Sequence, residues 1–210
     1  MTEIIAIDGP ASVGKSTLAK KISIYYNSPF LNSGRLYRAV ALKIKLNLID
    51  LNDENKILKI AESLDEDDLS SKQLFLSGID KIASKISKKK YLRDQLIAYQ
   101  REFPKKYAKG NKFAIIEGRD IGTEIFPSSK FKFFLWGDAK IRAKRRYQQI
   151  RRNGQKVRLK RIYEEIITRD TEDLNRIVAP LKPAVNSVLL DTSYLDIEQV
   201  FNVIKRILNK

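Results

Sequence analysis

The chain has 210 residues, 43% of them apolar, and a formal charge of +16 from 41 basic and 25 acidic side chains. That length suits a single domain, residues 1–210, able to bury a full core, and no run approaches the ~18 apolar residues of a membrane span. Cysteine and histidine are both absent, which excludes disulfides, thiolate or imidazole metal sites, cysteine nucleophiles and every histidine-based triad.

Residues 3–8 read as a strand, apolar throughout (Ile4, Ile5, Ala6, Ile7) as expected where both faces of a parallel sheet are covered. An acid at position 3 and no basic, apolar leader lead to the expectation of a cytoplasmic protein. Gly9, four residues, then Gly14-Lys15-Ser16 follow at once. This is the phosphate-loop pattern G-x-x-x-x-G-K-[ST], placed between a strand and a helix as its physics requires. Such a match arises by accident in roughly under 1% of chains of this length. The loop residues Gly9, Ala11, Ser12, Val13, Gly14, Lys15, Ser16 and Thr17 are the candidate ATP site. Their N–H groups and the following helix N-terminus suit phosphate oxygens, Lys15 suits the β- and γ-phosphates, and the Ser16 hydroxyl suits Mg²⁺. With no histidine or cysteine available, phosphoryl transfer fits, because it rests on positioning and charge neutralisation.

The first helix is expected over residues 14–26, with Leu18, Ile22 and Tyr25 on its inner face. Phe30-Leu31 leads into Asn32-Ser33-Gly34-Arg35-Leu36-Tyr37-Arg38, where Ser33 is the expected cap of a helix reaching about Leu48. On this stretch alone, a capped helix with a core tyrosine and a functional pair Tyr37 and Arg38 are equally good readings. A further helix is expected near Asp53–Leu64. The mixed segment at residues 65–90 reads as an arm, with a short strand-like piece at Gln73–Leu76. Residues 81–107 return to helix, carry Ser84, Arg93 and Arg101, and meet a kink or break at Pro104.

Phe113–Ile116 predicts a second buried strand, ending in Glu117-Gly118-Arg119-Asp120. Glu117 stands where an acid could help hold Mg²⁺, and Arg119 and Asp120 fall at a strand end, where open α/β sheets bind ligands. Phe131–Trp136 is a third strand, and Asp138 caps a helix to about Arg152. Asn153-Gly154 separates it from another helix over about residues 158–173. This arginine-dense hairpin, residues 145–162 with Arg145 and Arg146, could close over a polyphosphate or bind RNA. Ser187–Asp191 is the last strand, and Asp196 with Gln199 forms a capping box for the terminal helix. The alternation predicts a doubly wound α/β core.

Along nearly its whole length the sequence resembles the bacterial cytidylate kinase family. The resemblance is carried by Ile7-Asp8-Gly9-Pro10 with the phosphate loop, Asn32 to Arg38, Gly118-Arg119-Asp120-Ile121-Gly122-Thr123, Arg142-Ala143-Lys144-Arg145-Arg146, and Arg169 to Arg176 with Val178-Ala179-Pro180-Leu181. It implies a P-loop nucleoside monophosphate kinase fold: a five-stranded parallel sheet flanked by helices, with an acceptor-binding arm and a helical lid. It also implies ATP-dependent phosphorylation of CMP and dCMP with Mg²⁺. By position, Arg38, Arg119 and Arg176 would meet the CMP phosphate, and Arg169 and Asp173 the sugar. Ser84, Arg93 and Asp120 would read cytosine, beside Ser33 and Tyr37. Lys15, Arg119, Arg176, Arg145 and Arg146 would be the catalytic cations. The chain departs from the family in having Glu117 where an aspartate is usual, and in an arm that looks shortened, without the family's small inserted sheet. A monomer acting on small nucleotides is expected. The alternatives are a kinase for UMP, AMP or dTMP, or a basic nucleic-acid-binding module. The missing aromatic stacking platform weighs against the latter.

Overall fold

The computed structural model describes residues 2–76, 78–152, 154 and 156–209. Among them, five strands form one sheet in the order β2-β3-β1-β4-β5: β1 (Glu3–Asp8), β2 (Phe30–Asn32), β3 (Phe113–Gly118), β4 (Phe131–Trp136) and β5 (Val188–Asp191). The central strand β1 is parallel to β3 on one side, Ile5 opposite Ile115, and to β4 on the other, Ile7 opposite Phe133. β4 in turn pairs parallel with β5. Every residue of β3 is buried, which is why its sequence is a continuous apolar run. The chain leaves β1 toward β2 on one side of the sheet and leaves β3 toward β4 on the other. The carboxyl ends of β1 and β3 therefore flank a topological switch point, the place where open α/β sheets bind ligands.

By its contacts the chain divides into two compact units, Met1–Phe30 with Ala108–Lys210, and Leu31–Tyr107. The first contains the core: Ile5, Ile7, Phe113, Ile115, Phe131 and Phe133 of the sheet, against Leu18 and Ile22 of α1 (Lys15–Tyr25) and Phe201 and Ile204 of α9 (Ile197–Leu208). Tyr25 does not join that inner face. Its ring is half exposed and meets Phe201 edge-on, at the last residue of the helix. Asp196 caps α9 through the expected box with Gln199. The arginine-rich pair α7 (Ala139–Arg152) and α8 (Leu159–Asn175) packs through Ala143, Ile162 and Ile166, and Asp138 accepts the Lys140 and Ile141 N–H groups at the start of α7. Of the turn expected between them, Asn153 lies outside the described residues, while Gly154 has φ +76°.

The second unit is helical among its described residues beyond β2: α2 (Ser33–Leu46), α3 (Glu54–Glu62), α4 (Glu66–Ser70), α5 (Ile79–Ile86) and α6 (Lys90–Tyr107). The structure corrects the sequence reading at several points here. Asn32, not Ser33, caps α2, its side chain accepting the Arg35 N–H; Ser33 is the first helical residue. Asparagine is at least as good a cap as serine, and the two adjoin. Gln73–Leu76 is not strand-like: Lys72–Phe75 forms a 3₁₀ turn, capped by Ser71 accepting the Gln73 N–H and closed by Leu76 N–H to Gln73 C=O. Residues 81–107 are two helices rather than one. Pro104 stays inside α6, near its end, where the lost N–H bond matters least to the turns before it. The expected shortened arm is thus helical, with α4, the 3₁₀ turn and α5 in place of any small sheet among the described residues.

Candidate active site

The phosphate loop runs from the end of β1 to α1 and is fixed at both glycines. Gly9 has φ +147°, and a Cβ there would lie 2.2 Å from the Leu135 carbonyl oxygen. Only glycine lets the loop pass that close to β4. Gly14 caps α1 at φ 101°, in the left-handed region. Between them the loop is clipped from three sides. Asp170 of α8 accepts the Ala11 N–H at 3.1 Å, Arg142 of α7 donates to the Ala11 carbonyl at 2.8 Å, and the Thr192 hydroxyl donates to the Val13 carbonyl at 3.3 Å. Arg142 and Asp170 are themselves a buried ion pair at 2.6 Å.

Lys15 is 6% exposed and donates to the Gly9 and Pro10 carbonyls, each at 2.7 Å. Burial first, and then the positive Arg119, push its ammonium down to about 7, against the pull of Glu117 and Asp8. Ser16 donates its hydroxyl to the Glu117 carboxylate at the end of β3, which is 3% exposed. A hydroxyl and a carboxylate, both hard oxygen donors, suit a Mg²⁺ ion that keeps most of its shell for water and phosphate. Asp8, the last residue of β1, accepts the Ile121 N–H at 2.9 Å and the Gly122 N–H at 2.7 Å. Burial raises it to about 6, and those two N–H groups oppose the rise. Asp8 therefore ties the phosphate loop's strand to the turn that follows Arg119 and Asp120.

Beyond that turn lies an arginine cluster built on Asp173. Its carboxylate, 3% exposed, accepts Arg119 Nε at 2.8 Å and Arg169 Nε at 3.3 Å. Burial alone would raise Asp173, but Arg119 and then Arg169 outweigh it and hold the group below its usual range. Arg119 is raised in return, burial opposing and Asp173 prevailing. Arg176 stands 3.9 Å from Asp120 and donates to the Ala179 carbonyl. The first unit thus brings together Lys15, Arg119, Asp120, Arg169, Asp173 and Arg176 at one end of the sheet, close enough for Arg119 and Asp173 to act on the charge of Lys15.

Ser33, Tyr37 and Arg38 lie on α2, Ser84 on α5 and Arg93 on α6, all in the second unit. There α2 packs against α5, and Arg93 is 2% exposed. Arg145 and Arg146 are not brought to one place. Arg145 donates to the carbonyls of Thr192, Ser193 and Leu195, whereas Arg146 reaches Gln149 on the exposed face of α7. Arg145 there lines a cavity of about 440 Å³ beside the loop, with Val13, Gly14, Thr17, Thr192, Tyr194 and Leu195 on its walls. Sequence reasoning missed this cavity, and it gave Asp8, Arg142 and Asp170 no role although they lie within the motifs it singled out. Thr192 directly follows β5, so its place at a strand end was the available signal.

Comparison with known proteins agrees with this geometry. The family described as Cytidylate kinase matches residues 5–210. A cytidylate kinase of Bartonella quintana (strain Toulouse) is 40% identical over 200 residues, covering 95% of this chain and 91% of that protein. One of Bradyrhizobium sp. (strain ORS 278) is 40% identical over 195 residues, covering 93% and 90%. Among solved structures, an uncharacterized protein from Eubacterium ventriosum ATCC 27560 shares the fold, with a TM-score of 0.55 at 14% identity over 100% of this chain and 99% of that one. The glycine-fixed loop, the acid at the end of β3 and the arginines gathered on Asp173 thus sit in a sequence matched almost from end to end: the chain belongs to the cytidylate kinase family.

Proposed function

We propose that the protein transfers the γ-phosphoryl group of ATP to CMP and dCMP, yielding CDP and dCDP. The observation that carries this reading is the concentration of fixed cations around Asp173, within electrostatic reach of Lys15 in the phosphate loop. The acceptor is already an ionised phosphate, so no general base is required. The barrier is repulsion between two anions, which Lys15, Arg119 and Arg176 relieve in a site poor in water. Arginine suits the task because its planar fork binds phosphate through two N–H groups and stays charged. Ser16, with Glu117 behind it, would hold Mg²⁺, which when bound neutralises charge on the donor's phosphates.

In this reading the loop residues from Gly9 to Thr17 hold the ATP phosphates, and the neighbouring cavity takes the donor's base, Arg145 bordering it. Arg38, Arg119 and Arg176 meet the CMP phosphate, while Arg169 and Asp173 meet the sugar. Ser84, Arg93 and Asp120, with Ser33 and Tyr37, select cytosine. Residues 145–162 serve as the lid. The chain acts as a cytoplasmic monomer on small nucleotides. No helix among the described residues is long and apolar enough to cross a membrane. The test is a coupled assay of ATP consumption across CMP, dCMP, UMP, AMP and dTMP. CMP and dCMP should be turned over far more efficiently than the rest, and preference for any other monophosphate overturns the assignment.

A further inference from the structure

Two arginines of α2, Arg35 and Arg38, lie three residues apart and so project from neighbouring positions of one helix face. Both are held by the short segment that follows α4's start. Arg35 Nη1 donates to the Leu69 carbonyl at 2.8 Å, and Arg38 Nη1 donates to the Leu74 carbonyl at 3.2 Å. The same two guanidinium groups stand over one aromatic ring, that of Phe75, at 5.6 and 5.4 Å from its centre. Two like charges gathered at one ring repel each other. Here the two carbonyl oxygens and the negative face of the ring offset that repulsion.

The 3₁₀ turn divides its labour between adjacent residues. Leu74 is fully buried and anchors the turn, whereas Phe75 is 56% exposed. A large aromatic left mostly in solvent contributes little to the core, so its contact with the two cations is what its position provides. Contact through the ring face uses no N–H group of the guanidinium.

We propose that Phe75 is a positioning residue, which holds the Arg38 guanidinium in the orientation that receives the acceptor nucleotide's phosphate. This rests on the reading of Arg38 given above. An arginine side chain otherwise loses rotamer freedom when it closes on a phosphate, and a side chain already held in place loses less.

The experiment measures kcat and the KM values for CMP and ATP in the wild type, Phe75→Leu, Phe75→Tyr, Arg38→Ala and the double variant Arg38→Ala/Phe75→Leu, with thermal melts confirming each fold. Phe75→Leu should raise the CMP KM about two- to fivefold, the span of an exposed cation–π contact, with the ATP KM unmoved. Phe75→Tyr, which keeps the ring, should restore the wild-type value. In the Arg38→Ala background, Phe75→Leu should add no further loss. The inference is overturned if Phe75→Leu leaves the CMP KM unchanged, raises both KM values in parallel, or acts equally with and without Arg38. If Arg38→Ala itself keeps the wild-type KM, the phosphate role of Arg38 fails and takes the inference with it. Sensitivity at Arg38 with none at Phe75 removes the inference alone.

Discussion

The Asp170 carboxylate lies 2.6 Å from the Arg142 guanidinium, and each side chain also holds one end of Ala11, Asp170 its N–H and Arg142 its carbonyl. Helices α7 and α8 thereby grip the phosphate loop through a single residue. Removing one member leaves the other charge buried without its counter-ion, which typically costs about 3–5 kcal/mol. Asp170→Ala should therefore lower the unfolding free energy by that amount and raise the KM for ATP more than that for CMP. Denaturant unfolding and steady-state kinetics check both. A variant of wild-type stability would show that Ala11 is held by other means.

Lys15 supplies the second expectation. Its ammonium sits near 7 because burial and Arg119 work against the charge. A bound polyphosphate favours the charged form, so at pH 8 ATP binding should draw a proton onto the enzyme. Calorimetry in buffers of different ionisation enthalpy measures that uptake directly, and Lys15→Arg, always charged, should abolish it. Lys15→Ala should cost on the order of 10²–10³ in turnover, the usual loss for one fixed electrostatic donor. Near-normal turnover in a folded Lys15→Ala protein would remove the kinase reading.

How far such features can be read ahead depends on the distance over which they act. The loop glycines, the Asp138 cap and the Asp196–Gln199 box are local patterns, each settled within a few residues, and each is legible in the sequence. Asn32 and Ser33 are both good caps one position apart, so only backbone geometry chooses between them. The partners of the loop are another matter. Asp170 lies 159 residues from Ala11, and Thr192 lies 179 from Val13. No periodicity in the chain announces such a meeting, which exists only once β1, β4 and β5 are side by side. The helical arm escaped for the opposite reason: Gln73–Leu76 has strand-like residues, but a local cap and a turn bond satisfied its backbone first.

Asp8 carries the sign of a pH dependence. Its carboxyl titrates at about 6 in the folded chain against an ordinary 3.8. Between those values the folded state binds more protons than the unfolded one. The group's stabilising contribution is therefore complete below 3.8 and is lost as pH rises through 6. Asp8→Asn removes this titration, at the expense of one acceptor for the Ile121 and Gly122 N–H groups. The stability difference between the two proteins should move in the variant's favour between about pH 4 and 6. Parallel curves in pH-dependent unfolding would place the titration elsewhere.

Asp120 is the test of base choice. Cytosine offers an amino donor where uracil offers a carbonyl, so a carboxylate at that edge accepts from one and repels the other. The mismatch is worth ~1–3 kcal/mol per buried group, or about 5- to 150-fold. Asp120→Ala should reduce the catalytic efficiency for CMP more than for UMP and narrow their ratio. A ratio unchanged by the substitution would assign the reading of the base to other residues.

Trp136 is the sequence's single tryptophan, and it closes β4 with its side chain 47% exposed. Its carbonyl accepts the N–H of Thr192 at 2.9 Å, and Thr192 is one of the residues that line the cavity beside the phosphate loop. The molecule therefore carries one indole, bonded through its backbone to a residue that lines that cavity. With no second indole to dilute the signal, its emission can report filling of that cavity without a label. Substrates that stay away from the cavity should leave the emission dark to their arrival.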